Sequence, residues 1–144
     1  MAATYIDTTA LAKWYLPEAK SEAFRDFILA EREPAIGSLV SLELRSVLAK
    51  YRRRKLLGPA AARRVWETHR RDIRDGHLAV WRFEERHLES AADALDRASR
   101  SGIGTLSALH LAIARDGGAR RLATADRAMA TAARSLGLAV TAFY

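Results

Sequence analysis

The chain has 144 residues, which is enough for one domain with a substantial buried core. It contains no cysteine, so disulfides, thiol catalysis and cysteine-ligated zinc are excluded. Its formal net charge of +7 favours a polyanionic partner such as nucleic acid, although a solvated charged surface explains the basicity about equally well. No apolar stretch has membrane-spanning length and the N-terminus lacks a secretory pattern, so we expect a cytoplasmic protein with no membrane partner.

The first half of the chain alternates short apolar runs with helical patterns. Residues 4–7 are predicted to form a strand, and a helix capped by Thr8 or Thr9 follows and ends at Pro17. The other predicted elements of this half are helices at about 21–30, from 39 and at about 60–74, and a strand at 35–38.

The second half continues the alternation to the end of the chain. Its predicted elements are a strand at 77–83, a helix at 84–99, a loop at 101–104, a helix at 106–114, a strand at 121–124, a helix ended by Gly137 and a strand at 139–143. The helix at 106–114 is apolar almost all round and is therefore predicted to be buried. Strands separated by helices indicate a parallel α/β sheet in a single domain, residues 1–144.

Three acidic residues stand out against this pattern. Asp7 and Asp126 each end a short apolar strand just before a helix, where ligands of an open parallel sheet bind. Glu43 is the only charged residue in the apolar stripe of its helix, where an acid costs desolvation unless it is paired or binds a metal. Each alone has a structural explanation, as a helix N-cap or as an acid in an early helical turn. Together they indicate a divalent-cation site, because hard cations prefer oxygen ligands.

Four short segments that contain these acids resemble the motifs of the PIN-domain family, and more narrowly those of VapC-type toxins from bacterial toxin–antitoxin pairs. The segments are residues 5–11, 38–44, 106–112 and 123–127, and they span nearly the whole chain in the family's order. The resemblance implies a single PIN-like domain, an α/β fold with a short-stranded parallel sheet flanked by helices on both faces. It also implies a site that binds Mg²⁺ or Mn²⁺, with Asp7, Glu43 and Asp126 as catalytic and metal-binding acids.

The third motif departs from the family pattern at one position. Ser107 stands where the family usually has an aspartate, so three acids fill a site that the family builds from four. We expect Ser107, Thr8 and Thr124 to be auxiliary residues that position phosphate or water near the ligands. His110, in the same motif, is predicted to be a packed, hydrogen-bonded residue rather than a catalytic one.

The resemblance implies an endoribonuclease that cleaves RNA, possibly a tRNA, and is neutralised by a cognate antitoxin. It also implies a homodimer, for which Tyr15, Leu16 and the long helix near Tyr51 are candidate contacts. A basic run at the end of that helix is expected to bind the RNA backbone, with a solvated surface as the simpler alternative. The run consists of Arg52, Arg53 and Arg54.

Three other functions are weighed against this one. A catalytically weakened PIN-domain protein that binds RNA or antitoxin stays open because of Ser107. A phosphotransfer enzyme with Asp7 as nucleophile, as in haloacid dehalogenase-like phosphatases, is disfavoured because Thr9 stands where a second aspartate is needed. A nucleotide-binding Rossmann domain is disfavoured because no glycine-rich loop follows the first strand.

Overall fold

A sheet of parallel strands organises the fold, with the N-terminal strand at its centre. The computed structural model describes residues 3–144. Within them the strands are β1 (Thr4–Ile6), β2 (Pro34–Gly37), β3 (Ala79–Trp81), β4 (Arg121–Thr124) and β5 (Ala139–Ala142). They are hydrogen-bonded in the order β3-β2-β1-β4-β5, and every pairing is parallel.

Helices connect the strands. In chain order they are α1 (Thr8–Tyr15), α2 (Ser21–Ala30), α3 (Ser38–Arg53), α4 (Pro59–Arg74), α5 (His87–Arg97), α6 (Thr105–Asp116) and α7 (Arg127–Ser135). A 3-10 turn, Ser99–Ser101, lies between α5 and α6. No helix in residues 3–144 is both long and apolar enough to cross a membrane.

The strand order reverses between β1 and β4. The chain goes from β1 outward through β2 to β3, and then returns to the other side of β1 to add β4 and β5. In open parallel sheets the ligand crevice lies outside the carboxyl ends of the strands at such a reversal. The topology therefore puts the residues that follow Ile6 and Thr124 at the favoured site of this fold.

Both faces of the sheet are covered, as the sequence predicts. Tyr5 packs on one face with Leu111 of α6 and Met129 of α7, while its neighbour Ile6 packs on the other face with Leu11 of α1. Successive strand residues point to opposite faces, so two adjacent apolar residues require a double-sided core. Burying each of these large side chains contributes about 1.5–3 kcal/mol, and Tyr5 and Ile6 are both fully buried. Residues 108–114 of α6 are buried as predicted, whereas Leu106 is 51% exposed, so the prediction of a buried segment is wrong at the start of the helix.

Element boundaries differ from the predictions by a few residues. The N-cap of α1 is Asp7, so the assignment of the cap to Thr8 or Thr9 is wrong. Strand β3 begins at Ala79 rather than at 77, because the amides of His77 and Leu78 donate to the carbonyl of Asp72 and close the end of α4. Gly137 follows α7 with a φ of 87°, the left-handed conformation that makes glycine the usual residue after a helix.

The residues named as candidate dimer contacts also form contacts within the chain. The Tyr15 hydroxyl points inward and donates to Asp72 at 2.8 Å, and Leu16 is only 3% exposed within an apolar cluster. Tyr51 donates to the Glu18 carboxylate at 2.5 Å within the same chain. Tyr15 and Leu16 therefore stabilise the monomer and offer little surface to a second copy.

Candidate active site

Asp7 lies at the centre of the carboxyl edge of the sheet. It is the first residue after β1, it caps α1 and it is only 4% exposed. Its Oδ1 accepts from the Ala10 amide at 3.0 Å and from the Thr9 hydroxyl at 2.7 Å, and its Oδ2 accepts from the Thr124 hydroxyl at 2.5 Å. Burial raises the pKa of Asp7 above its ordinary value, against the lowering effect of these hydrogen bonds.

Asp126 occupies the equivalent place on the neighbouring strand. It follows β4 by two residues and caps α7, with its Oδ1 accepting from the Met129 amide at 3.0 Å. Its own amide donates to the hydroxyl of Thr124 at 3.0 Å, the same hydroxyl that donates to Asp7. Thr124 therefore links the two aspartates, which are 119 positions apart by their numbers in the chain.

Thr9 forms a second link across the same edge and was not identified from the sequence as a site residue. Its hydroxyl donates to Asp7, accepts from the Ala125 amide at 2.9 Å and lies 3.3 Å from the Thr124 hydroxyl. A hydroxyl residue two positions after a strand-ending aspartate is the sequence signal that would have pointed to it. Thr9 and Thr124 together fix the orientation of the buried carboxylate.

Glu43 lies on α3 and is held by two side chains. Its Oε1 accepts from the Thr8 hydroxyl at 2.9 Å and from Nε2 of the buried His110 on α6. Nδ1 of His110 lies 2.7 Å from the hydroxyl of Tyr5. The two ring nitrogens of His110 thus contact Glu43 and Tyr5, so a Tyr5–His110–Glu43 chain of hydrogen bonds runs from the core to the site.

The pKa values of Glu43 and Tyr5 follow from burial and hydrogen bonding. Burial acts to raise the pKa of Glu43, but the hydrogen bond and charge of His110 and the hydrogen bond from Thr8 bring it below its ordinary value. Burial, together with the nearby Asp7 and Glu43 carboxylates, raises the pKa of Tyr5 far above its usual range. At neutral pH Glu43 is therefore ionised and Tyr5 remains a protonated hydroxyl. His110 is packed and hydrogen-bonded, as the sequence predicts.

Gly37 provides the space for this chain of hydrogen bonds. It is the last residue of β2 and precedes α3, and a Cβ at this position would lie 2.3 Å from the Tyr5 hydroxyl oxygen. Any other residue would displace the hydroxyl that bonds to His110. A glycine at this strand-to-helix junction is thus a positional requirement of the site.

Ser107 is half-buried on the same helix as His110. It precedes His110 by three residues, so it lies about one turn away on the same face of α6. His110 contacts Glu43 from that face of α6, so Ser107 shares the face that is directed toward Glu43. We find no hydrogen bond from the Ser107 hydroxyl to any other described residue.

A cleft of about 860 Å³ opens beside these residues. Thr8, Thr9 and Ala125, the sequence neighbours of the two aspartates, line it together with Glu43. Its walls are largely apolar and carry two exposed leucines, Leu42 at 72% and Leu106 at 51%. The remaining lining residues are Ala12, Lys13, Glu18, Leu39, Arg45, Ser46, Val47, Lys50 and Tyr51.

The donor chemistry of the site fits a hard divalent cation. In the described part of the chain neither Asp7 nor Asp126 forms an ion pair, so no Lys or Arg balances their charge. No group of three or more Asp, Glu or His side chains within residues 3–144 is close enough to hold an ion as it stands. Mg²⁺ commonly binds through one or two carboxylates and keeps several waters, which suits the two aspartates.

The predicted RNA-binding arginines lie away from the acids. Arg52, Arg53 and Arg54 are exposed at the C-terminal end of α3. Their distance from Glu43 along the helix axis is about 14–16 Å at 1.5 Å per residue. Arg52 and Arg53 belong to the same helix as Glu43 and border a separate shallow depression with Leu57 and Pro59, and Arg54 follows the helix as its C-cap.

Known proteins resemble the chain over nearly its full length. The PIN domain family model matches residues 4–135. Ribonuclease VapC46 of Mycobacterium tuberculosis is 33% identical over 146 residues, which cover 99% of this chain and 98% of that protein.

Solved structures share its fold. The crystal structure of Mycobacterium tuberculosis VapC20, a sarcin-ricin loop cleaving toxin, has a TM-score of 0.71 with 19% identity and covers 90% of this chain and 94% of its own. VapBC2 from Rickettsia felis, bound to a DNA fragment from its promoter, has a TM-score of 0.68 with 14% identity over 99% of each chain.

Proposed function

The chain belongs to the PIN-domain family, among its VapC-type members, and we propose that it is a Mg²⁺- or Mn²⁺-dependent endoribonuclease that hydrolyses phosphodiester bonds. The observation that carries the proposal is the pair of aspartates at the ends of β1 and β4, joined through Thr124 and without a basic partner among the described residues. A phosphotransfer role for Asp7 has less support, because Thr9 stands where such an enzyme needs a second aspartate, and its hydroxyl donates to Asp7. We propose that residues 1–144 form one catalytic domain.

Several residues of the chain have distinct roles in the proposed hydrolysis. A divalent cation held by Asp7 and Asp126 would activate water and stabilise the charge that develops on the phosphate. Thr124 and Thr9 keep the Asp7 carboxylate in one orientation. Glu43, ionised and fixed by His110 and Thr8, would orient or deprotonate the attacking water.

The proposed partners follow from the family and from the cleft. We propose that the substrate is RNA, such as a tRNA, and that a cognate antitoxin neutralises the protein by covering the site in the cytoplasm. The exposed Leu42 and Leu106 beside Glu43 provide apolar surface for such a partner. The solved relatives that include a VapBC complex support this assembly. We also propose a homodimer.

A second candidate function rests on Ser107. A hydroxyl in place of a carboxylate lowers the negative charge of the site by one and weakens its hold on a divalent cation. The protein would then be a catalytically weakened PIN-domain protein that binds RNA or antitoxin. This candidate predicts RNA binding with little cleavage at any Mg²⁺ or Mn²⁺ concentration.

Cleavage of a mixed RNA pool tests the proposal. We expect cleavage in Mg²⁺ or Mn²⁺, loss of cleavage in EDTA, and a loss of about 100-fold or more in Asp7→Asn and Asp126→Asn. Asparagine still caps a helix, so both variants should stay folded. Asp75→Asn, which changes an exposed aspartate at the end of α4, is the matched control and should cleave normally. Cleavage that persists in EDTA or in Asp7→Asn would contradict the metal-dependent mechanism.

A further inference from the structure

Arg45 is a cation on the cleft wall that the proposed chemistry does not use. It lies two residues after Glu43 on α3 and lines the same cleft. Its guanidinium carbon is 4.3 Å from the ring centroid of Trp66 on α4, a cation–π contact. Among the described residues it forms neither a hydrogen bond nor an ion pair, so its N–H donors are available to a ligand.

Trp66 is a fixed platform for this arginine. Its ring packs against the ring of His69 with centroids 5.6 Å apart. His69 is fully buried, and its ring nitrogens contact the hydroxyls of Tyr15 and Ser41. A guanidinium stacked on an anchored ring keeps its planar fork exposed and oriented, which suits bidentate recognition of phosphate.

The other cations of the cleft differ in their availability. Lys13 is used within the chain, because its Nζ donates to the Ala19 carbonyl at 2.7 Å and lies 3.7 Å from the Glu18 carboxylate. Lys50 is exposed and forms no ion pair among the described residues. Arg45 and Lys50 are therefore the two cleft cations free to meet an anion.

These two cations continue along one exposed stripe of α3. The helix positions that share this side are all exposed, namely Leu42, Arg45, Ser46, Ala49, Lys50 and Arg53. The stripe carries three cations and no acid, and it starts in the turn that carries Glu43. From Arg45 to Arg53 it extends about 12 Å along the helix axis.

We propose that Arg45, oriented by Trp66, binds a backbone phosphate next to the bond that is cut, and that the RNA continues over Lys50 and Arg53. This inference rests on the proposed ribonuclease function and adds to it the direction of the substrate on the protein surface. One strand of a stacked B-form duplex carries one phosphate per roughly 3.4 Å of helix axis, and on that scale the stripe spans roughly three to four nucleotides. The charge of the stripe and the fork of Arg45 favour a phosphate chain as the occupant.

Measuring RNA binding in a variant that cannot cleave RNA tests this inference separately from catalysis. In the Asp7→Asn background, we would measure the anisotropy of a fluorescent mixed-sequence 12-nucleotide RNA over a range of salt. Arg45→Gln should weaken binding about tenfold and reduce the slope of log K against log salt by about 0.7 in magnitude, the loss of one phosphate contact. The matched control is Arg25→Gln, because Arg25 also stacks on a tryptophan, Trp14, at 5.5 Å but does not line the cleft.

The role of Trp66 is tested separately, because it acts through Arg45. Trp66→Leu should weaken RNA binding about threefold while leaving the salt slope unchanged, since the charge stays and only its orientation is lost. Trp66→Phe keeps an aromatic face and should restore most of the affinity. A Trp66→Phe variant no better than Trp66→Leu would contradict the platform role.

Three results would overturn the proposal. Equal losses in Arg45→Gln and Arg25→Gln would show that only net charge matters. An unchanged salt slope in Arg45→Gln would show that it contacts no phosphate. If Arg45→Gln bound poly-L-glutamate, tested as a second probe, more weakly but bound RNA as before, the stripe would be assigned to an acidic polypeptide. If RNA binding depended on Arg45 but the parent chain never cleaved RNA, the phosphate-binding inference would be supported and the proposed ribonuclease function refuted. The failure of one proposal can therefore be distinguished from the failure of the other.

Discussion

At the scale of single residues, Asp7 and Asp126 each cap a helix with a carboxylate that we also propose to bind a metal ion. Each uses Oδ1 to cap the helix that follows it, an interaction that contributes about 1 kcal/mol. The second oxygen of Asp7 accepts from Thr124, and that of Asp126 accepts nothing from the described residues. Helix capping and metal binding are therefore compatible here, because capping holds the carboxylate at the edge of the sheet and leaves part of it for a ligand.

Restoring the acid at position 107 should strengthen metal binding. We expect Ser107→Asp to bind Mn²⁺ about tenfold more tightly by calorimetry and to raise RNA cleavage, since ligand charge sets divalent-cation affinity. Without metal, the added carboxylate lies on the α6 face that meets Glu43, so like-charge repulsion should lower the thermal midpoint. Ser107→Ala is the control and should change affinity little.

A folded Ser107→Asp protein with neither tighter Mn²⁺ binding nor faster cleavage would show that the missing acid does not limit this site. Reduced cleavage in Ser107→Ala would instead assign the hydroxyl a role in positioning water. Both variants change only a half-buried side chain near the start of α6, so a loss of fold is not expected to obscure the comparison.

The acids were identifiable from the sequence, and most of their partners were not. Asp7 and Asp126 follow apolar runs, and Glu43 interrupts an apolar stripe, which are local patterns. The contact of Glu43 with His110 joins residues 67 positions apart, and that of His110 with Tyr5 joins residues 105 apart. Such contacts depend on how α6 packs on the sheet, which no local pattern specifies.

At the scale of elements, His69 connects α4 to α1 and α3. Its Nδ1 is 3.1 Å from the Tyr15 hydroxyl and its Nε2 is 2.9 Å from the Ser41 hydroxyl. Tyr15 gives its proton to Asp72, so it accepts from Nδ1–H, and Nε2 in turn accepts from Ser41. This network is satisfied by a neutral imidazole.

Acid should therefore weaken the packing of α4. Burial lowers the pKa of His69, opposed in part by the charge of Asp72. Above the unfolded value near 6.5 the ring is neutral in both states and its contribution to stability is complete. Below 6.5 the unfolded chain binds a proton that the folded chain does not. Stability is then lost by up to about 1.4 kcal/mol per pH unit until the pH passes the folded pKa.

Urea denaturation at pH 7.5 and 5.5 measures this effect. Other groups also titrate in this range, so the informative quantity is the difference between the parent chain and His69→Gln, which should lose less stability on acidification. His77→Gln, at an exposed histidine after α4, should behave as the parent does. Equal acid losses in the parent and in His69→Gln would contradict a neutral buried His69.

Helices were easier to predict than their ends. The apolar spacing of α2 predicts Ser21–Ala30, the helix observed. The cap of α1 was misassigned because three successive residues, Asp7, Thr8 and Thr9, can all cap a helix. Only Asp7 has the extended backbone and the bond to Ala10, while the two threonine hydroxyls bond to Glu43 and Asp7. Local propensity therefore identifies several possible capping residues, and tertiary contacts determine which of them caps the helix.

At the scale of the whole molecule, the order of the strands creates the site. Because β1 is central and β4 joins it from the far side, the two ends of the chain's sequence meet at one edge. The alternation of strands and helices predicts a parallel sheet, but it does not give this order. The positions of Asp7 and Asp126 at the ends of two strands predict that they lie at one edge of the sheet, and the pairing of Ile6 with Ala123 puts these two strand ends side by side.

The salt dependence of homodimer formation should show whether apolar contacts or ion pairs hold the two chains together. Two chains of net charge +7 repel one another, whereas contacts between apolar side chains are not weakened by salt. Raising NaCl from 0.1 M to 1 M shortens the screening length from about 10 Å to about 3 Å. We therefore expect sedimentation equilibrium to show a homodimer whose fraction rises with salt. A dimer fraction that falls with salt would mean that ion pairs hold the interface, and a monomer at every concentration would exclude the proposed dimer.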